Sequence, residues 1–138
     1  MKVQATSIAL NGRAYLITGQ SGAGKSSLAL SLIHRGANLI ADDVTEVIKD
    51  VAYAPKAHQG WLEVRGIGLI SGLTVCPSAK IGAIIQLTDN KPERLPEVHL
   101  DGIPEFQIWV QDKNQADKVL IIDSILGGNL KLESGKEI

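Results

Sequence analysis

Eight consecutive residues, Gly19-Gln20-Ser21-Gly22-Ala23-Gly24-Lys25-Ser26, fit the pattern G-x-x-x-x-G-K-[ST]. They are preceded by Ala14-Tyr15-Leu16-Ile17-Thr18, a short apolar run of strand formers. They are followed by Ser27-Leu28-Ala29-Leu30-Ser31-Leu32-Ile33, rich in helix formers. Strand, glycine loop and helix in this order commit the chain to an α/β arrangement in which a strand delivers a loop to the opening of a helix. Glycines let successive N–H groups turn inward where side chains would collide. The helix adds its unpaired N–H groups and the positive end of its dipole. The backbone from Gly19 to Ser27 is therefore a phosphate cradle. Lys25 suits the β- and γ-phosphates and the Ser26 hydroxyl suits Mg²⁺, so ATP with Mg²⁺ is the expected ligand.

The rest of the chain sets the frame around that loop. With 138 residues, 44 % apolar and 21 % charged, it suits one domain with a real core. A net charge of −1 offers no basic surface for nucleic acid or a membrane. The longest apolar runs are too short to span a bilayer, and Met1–Thr6 lacks the apolar stretch of a signal peptide. The single cysteine, Cys76, excludes an internal disulfide and fits a reducing cytoplasm. Val3–Leu10 reads as a strand ending in the hairpin signal Asn11-Gly12, and Ala14–Thr18 as the next strand. Lys25–Arg35 reads as an amphipathic helix closed by Gly36. Asn38–Ala41, Thr45–Tyr53, Trp61–Arg65, Ile81–Leu87 and Phe106–Val110 read as strands, with loops over 54–60 and 91–97. Gln115–Leu126 repeats apolar residues at helical spacing and stops at Gly127-Gly128. The expected fold is α/β: a P-loop nucleotide-binding domain over 1–128 with a strand-rich, mixed sheet and few helices, then a loose polar tail over 129–138.

Two acids follow the third of these strands. Asp42-Asp43 stands at the carboxyl end of an apolar segment, and ligands of open α/β sheets bind outside such ends. On an extended chain adjacent side chains point opposite ways, so one aspartate can face metal and nucleotide while the other faces elsewhere or accepts backbone N–H groups; the pair also fits an Asp-Asp turn capping the strand end. A carboxylate beside a γ-phosphate can hold Mg²⁺ or accept a proton from an attacking hydroxyl. A rival acid, Asp89, ends the run Ile84-Ile85-Gln86-Leu87-Thr88. Gln86 interrupts that run and Asp89 leads into a Pro-rich loop, so Asp89 reads as a turn residue.

The segment Leu62-Glu63-Val64-Arg65-Gly66-Ile67-Gly68 adds a third element. Glu63 and Arg65 lie two apart and so share one face of a strand, with glycines directly after. That pair alone is also what a solvated cross-strand ion pair looks like. Taken in order with 19–26 and with Arg35-Gly36 through Leu39-Ile40-Ala41-Asp42-Asp43, however, the chain resembles the HPr kinase/phosphorylases, bacterial enzymes that act on a serine of the phosphocarrier HPr. The resemblance covers roughly residues 3–75, with a fainter echo at Arg94-Leu95-Pro96-Glu97. It looks most like the short α-proteobacterial versions, which consist of the catalytic domain without the N-terminal domain. It implies Lys25 on the phosphates and Ser26 and Glu63 on the metal. It implies Asp43, eighteen residues after Lys25, as proton acceptor, with Asp42 supporting it and Arg65 in the signature segment. It also implies an HPr-like partner and a homo-oligomer, a hexamer in that family.

The chain departs from the family at Gln4, where a histidine stands twenty-one residues before the lysine, and at Ser27, where an acid usually follows the Lys-Ser pair. A glutamine cannot shuttle protons. The downstream arginine segment linked to dephosphorylation has no match after residue 98. The expected activity is thus ATP-dependent phosphorylation of a protein serine, with the reverse reaction less well equipped. The alternatives are a nucleotide-binding regulatory module without transfer and a small-molecule kinase, the latter lacking an Arg-rich lid. His34, His58, His99 and Cys76 are scattered and make no zinc site. Trp61 and Trp109 read as core or interface anchors.

Overall fold

The computed structural model describes residues 1–133. In chain order the elements are β1 (Lys2–Gln4), β2 (Thr6–Leu10), β3 (Arg13–Thr18), α1 (Lys25–Ile33), β4 (Asn38–Ala41), β5 (Val44–Ile48), β6 (Val51–Tyr53), β7 (Leu62–Val64), β8 (Gly68–Ile70), β9 (Ser78–Thr88), β10 (Glu105–Trp109) and α2 (Gln115–Leu126). Except for the β7–β8 hairpin, the strands form one mixed sheet ordered β1-β5-β6-β9-β3-β2-β4, with β10 also on β9.

Strand direction decides where chemistry can collect. β9 runs parallel to both β3 and β10. β2 is antiparallel to β3 on one side and β4 on the other, so β3 and β4 also run the same way. The carboxyl ends of β3, β4, β9 and β10 therefore share one edge, and the loops leaving them share one end of the molecule.

Both faces of the central strands are buried, as expected where a sheet is covered on each side. One core lies under the helices: Ile8, Tyr15, Ile17, Ala83 and Ile85 pack with Leu28, Leu32, Val119 and Ile122. The other lies on the opposite face, where Ala9, Ala14, Leu16 and Ile81 meet Ala52 and the half-buried Val3 and Val47. A register shift in the β3–β9 ladder, around Gly82, hands β9 from one core to the other. Beneath the common edge, Ser7 Oγ and Thr45 Oγ1 are 2.8 Å apart and Thr45 Oγ1 donates to the Ala5 carbonyl at 2.9 Å, so the buried hydroxyls there are paired.

The expected fold class is the one observed. The helices start where read, at Lys25 and Gln115, although α1 ends at Ile33 rather than Arg35, with Gly36 (φ 102) in the left-handed conformation after it. Three strand readings needed the tertiary structure. The run 3–10 splits at the fully buried Ala5 into two strands with different partners. The run 45–53 is a hairpin, turning at Lys49 and Asp50, both with positive φ (49 and 64), without the Asn-Gly or Asp-Gly pair that announces such a turn. Gln86 does not interrupt β9; it lies within the strand and accepts a hydrogen bond from Gln107 Nε2 on β10 at 3.2 Å. Trp61 is not a core residue: it is 38 % exposed with its ring against His58. Of the tail read at 129–138, residues 134–138 lie outside the described residues.

A polar pin holds α2 onto the sheet. Asp123, 4 % exposed, accepts from Asn11 Nδ2 (2.6 Å), Arg13 Nη1 (3.0 Å) and Tyr15 Oη (2.5 Å). Burial, and then the neighbouring Asp123 carboxylate, push the Tyr15 phenol well above its ordinary value, so it remains a donor. Replacing Asp123 with Ala orphans that buried phenol and should lower unfolding free energy by about 2 kcal/mol in urea titrations. At the start of α2, the Lys118 ammonium and then the Asn114 N–H hold Asp112 below the usual carboxylate range. A depressed folded-state pKa contributes stability above the unfolded value that is lost as pH falls through the folded one. Thermal melts from pH 6 to pH 2 should therefore fall less steeply for Lys118→Met than for the parent chain.

Candidate active site

The loop after β3 departs from helical geometry in the way its glycines allow. Gly19 (φ 150) runs so close to β9 that a Cβ there would sit 3.0 Å from the Leu87 carbonyl oxygen. Gly24, at the N-cap of α1, is left-handed (φ 101, ψ 23), and neither a capping side chain nor an acidic residue occupies the first turn. The first N–H groups of α1 are thus left for an external anion. Lys25 Nζ curls over the loop, donating to the carbonyls of Gly19 (3.0 Å) and Gln20 (3.1 Å).

Asp42 faces this loop from the end of β4. Its Oδ1 accepts from Ser26 Oγ at 2.7 Å and from Thr6 Oγ1 at 2.9 Å, while Oδ2 accepts from the backbone N–H of Glu63 at 3.0 Å. One carboxylate thereby joins α1, β2, β4 and β7. The chain is not extended here, contrary to the alternation expected of an extended pair. Asp43 takes a left-handed conformation (φ 69), and the Val44 N–H returns to the Asp42 carbonyl at 2.7 Å. Aspartate tolerates that conformation better than most residues. The turn leaves Asp43 exposed, with its N–H donated to Thr6 Oγ1 at 3.2 Å. Among the described residues no hydrogen bond reaches its carboxylate.

These groups share a cleft of about 520 Å³ lined by Gln4, Thr6, Gly19, Ser21, Gly22, Gly24, Lys25, Ser26, Ser27, Asp42, Asp43, Glu63 and Arg65. Gln20 and Ala23, also read as loop contacts, line an adjoining cleft with Gln86, Thr88, Asp89 and Asn90 instead. Arg65 lies just past β7 in the turn to β8, not on the strand beside Glu63. Its guanidinium nitrogens lie 3.5 Å from where a Cβ on Gly22 would be, so the cation rests against the crown of the loop. Thr6 is the residue sequence reasoning missed. Nothing local marks it; it comes to the acids because β2 pairs with both β3 and β4.

Among the described residues no cluster of three or more His, Cys, Asp or Glu could by itself hold a metal ion. The donor set is nevertheless the kind Mg²⁺ uses, one or two carboxylates with a hydroxyl, completed by substrate phosphates and water. Ser26 Oγ and Asp42 Oδ1, 2.7 Å apart, are such a hydroxyl and carboxylate, and Glu63 lines the same cleft.

Residues 1–99 match the family model described as HPr Serine kinase C-terminal domain. The chain is 35 % identical over 130 residues to an HPr kinase/phosphorylase of Clostridium beijerinckii, covering 88 % of this chain and 38 % of the relative. It is 38 % identical over 119 residues to one of Bordetella pertussis, covering 72 % and 39 %. It therefore spans under two-fifths of the length of the curated relatives it matches. A solved structure described as the Hpr(Ser) kinase/phosphatase from Coxiella burnetii shares the fold, with a TM-score of 0.74, 24 % identity and coverage of 95 % of this chain and 92 % of that one. No helix among the described residues is long and apolar enough to cross a membrane.

Thr6 is buried and is shared by both acids, so Thr6→Val, which keeps its shape but not its hydroxyl, should cost about 2 kcal/mol of stability in denaturant titrations. Thr6→Ser should restore most of that loss.

Proposed function

Because the chain belongs to the HPr Serine kinase C-terminal domain family, we propose that it transfers the γ-phosphoryl group of ATP to a serine hydroxyl of an HPr-like phosphocarrier, with Mg²⁺. The observation that carries this reading is the Asp42 carboxylate on Ser26 Oγ at 2.7 Å, with the unbonded Asp43 carboxylate at the next residue, in the same cleft as the P-loop. Phosphoryl transfer asks a protein chiefly for positioning and charge neutralisation, and the cleft is furnished for both.

The roles follow from the groups' chemistry. Backbone N–H groups from Gly19 to Ser27 take the phosphate oxygens. Lys25 exchanges its two carbonyl partners for β- and γ-oxygens, a charge-assisted bond stronger than those it leaves. Ser26 and Asp42 would hold Mg²⁺, with Glu63 of the same cleft able to add an oxygen; the ion would supply charge neutralisation to the phosphates. Asp43 accepts the proton of the attacking serine hydroxyl as its oxygen bonds the γ-phosphorus and the bond to the β,γ-bridging oxygen breaks, releasing ADP. Exposure suits Asp43 to that role, because an acceptor serine carried on another protein has to reach it. Arg65, against the loop crown at Gly22, offsets charge on the transferring group.

Gln4 lines the same cleft. Its amide can orient a hydroxyl but cannot supply a proton, so in the reverse reaction proton donation falls to Asp43. A homo-oligomer, hexameric by family resemblance, and a cytoplasmic setting belong to the same proposal, and sedimentation velocity reads the first of these.

With γ-labelled ATP, Mg²⁺ and HPr, label should appear on a serine of HPr. Asp43→Asn should keep ATP affinity within about twofold and lower transfer by at least ~10²-fold. Transfer that survives this change would remove Asp43 from the role of base. Asp42→Asn should weaken Mg²⁺-dependent nucleotide binding as well as transfer, because it loosens Ser26.

A further inference from the structure

Beside the phosphate cleft lies another that the proposed chemistry leaves unused. Ser27, the last residue of the cradle, also borders a second cleft of about 170 Å³ that runs along the flank of α1. Its opposite wall is the segment 112–117, which follows β10 and opens α2. That segment leaves the same sheet edge as the P-loop, because β10 runs parallel to β9 and β9 to β3. We infer that this cleft, between Ser27 and Ser31 of α1 and Asp112, Lys113 and Asn114 after β10, receives the nucleoside end of the nucleotide whose phosphates the loop holds.

The inference rests on the P-loop reading and extends it. Lys25 and Ser26 serve the β,γ end, and Asp42 and Asp43 fix where the γ-phosphorus must lie, so the α-phosphate and its sugar leave the cradle at the other end. Ser27 is the cradle residue furthest along α1, and it lines both clefts. Size agrees with a partial occupant. Whole-ligand pockets measure roughly 300–1,000 Å³. The side cleft, at 170 Å³, holds one part of a molecule whose remainder fills the 520 Å³ cleft.

The walls agree as well. The lining is mainly polar, with the largely buried Leu28 and Ala116 as its apolar members, which suits a sugar edge more than a base face. The rim offers the hydroxyls of Ser27 and Ser31, the amide of Asn114 and the ammonium of Lys113. Asp112 is fixed in place by Lys118 and by the Asn114 N–H, which donates to its Oδ1 at 2.7 Å. Arg35 closes the far end, with Nε 3.7 Å from Asp117 Oδ1 and Nη1 bonded to the Ser31 carbonyl at 3.1 Å. Such a rim can pair with ribose hydroxyls and with ring nitrogens or an exocyclic amine.

Calorimetric titration of the full chain with Mg²⁺–ATP and, separately, with Mg²⁺–tripolyphosphate tests this directly. Tripolyphosphate probes the cradle alone. Asn114→Ala, at an exposed position, and Ser31→Phe, which fills the cleft from α1, should each weaken ATP by about tenfold or more and leave tripolyphosphate unchanged. ATP affinity that stays at the parent value in both variants, while tripolyphosphate still binds, would overturn the nucleoside placement and leave the P-loop reading standing. Loss of ATP affinity in Asn90→Trp but not in these variants would overturn it too, moving the nucleoside to the cleft beside β9. Failure of the parent chain to bind either ligand would defeat the phosphate cradle itself, and the inference with it.

Discussion

The Asp42 carboxylate is the junction on which this end of the molecule depends. It receives the hydroxyl of Ser26 at the start of α1, the hydroxyl of Thr6 at the start of β2 and the N–H of Glu63 on β7. A half-buried carboxylate without partners would be costly, and three donors satisfy it. Each donor belongs to a different element, so satisfying one charge also fixes how the elements stand relative to one another. The same three contacts set the depth of the cleft, the direction of the Ser26 hydroxyl and the place of the neighbouring Asp43. A structural device and a candidate metal site are here one set of atoms.

Beneath that junction the fold works as a mount. Two cores, one on each face of the central strands, leave those strands little freedom to shift, because close-packed interiors resist small displacements. The directions of β3, β4, β9 and β10 gather four loops at one edge. The phosphate loop, the acid pair and the segment that opens α2 all come from that set. The short β7–β8 hairpin stands outside the main sheet and brings Glu63 and Arg65 in from the side. Rigid strands carrying exposed turns suit the proposed reaction, in which catalysis is mostly placement of a donor phosphate and an acceptor hydroxyl. At the far side, Asp123 with Asn11, Arg13 and Tyr15 ties α2 to the β2–β3 hairpin, so the helix that walls the side cleft is anchored from below.

Local signals in the chain served well where one residue type has one physical use. Glycines at 19, 22 and 24 announced a loop whose N–H groups can turn inward, and all three take positive φ. Helical spacing in 115–126 placed α2 at its observed bounds. The hairpin at Lys49-Asp50 escaped because two ordinary residues take left-handed conformations there under the pull of the flanking strand pairs. Asp42 and Asp43 were legible as a pair but their arrangement was not, since a turn replaced the extended chain that alternation assumes.

By itself, then, the amino-acid order determined the phosphate loop, the two helices, the presence of acids behind a short strand and the family to which the chain belongs. These are properties of contiguous residues, in which spacing and side-chain chemistry are enough. Tertiary structure alone decided that Thr6 would reach both acids, that Arg65 would rest on Gly22, that Gln86 would meet Gln107 of β10, and that a cleft would open between Ser27 and Asn114. Each joins residues far apart in the chain through strand order and direction, which packing selects across the whole sheet.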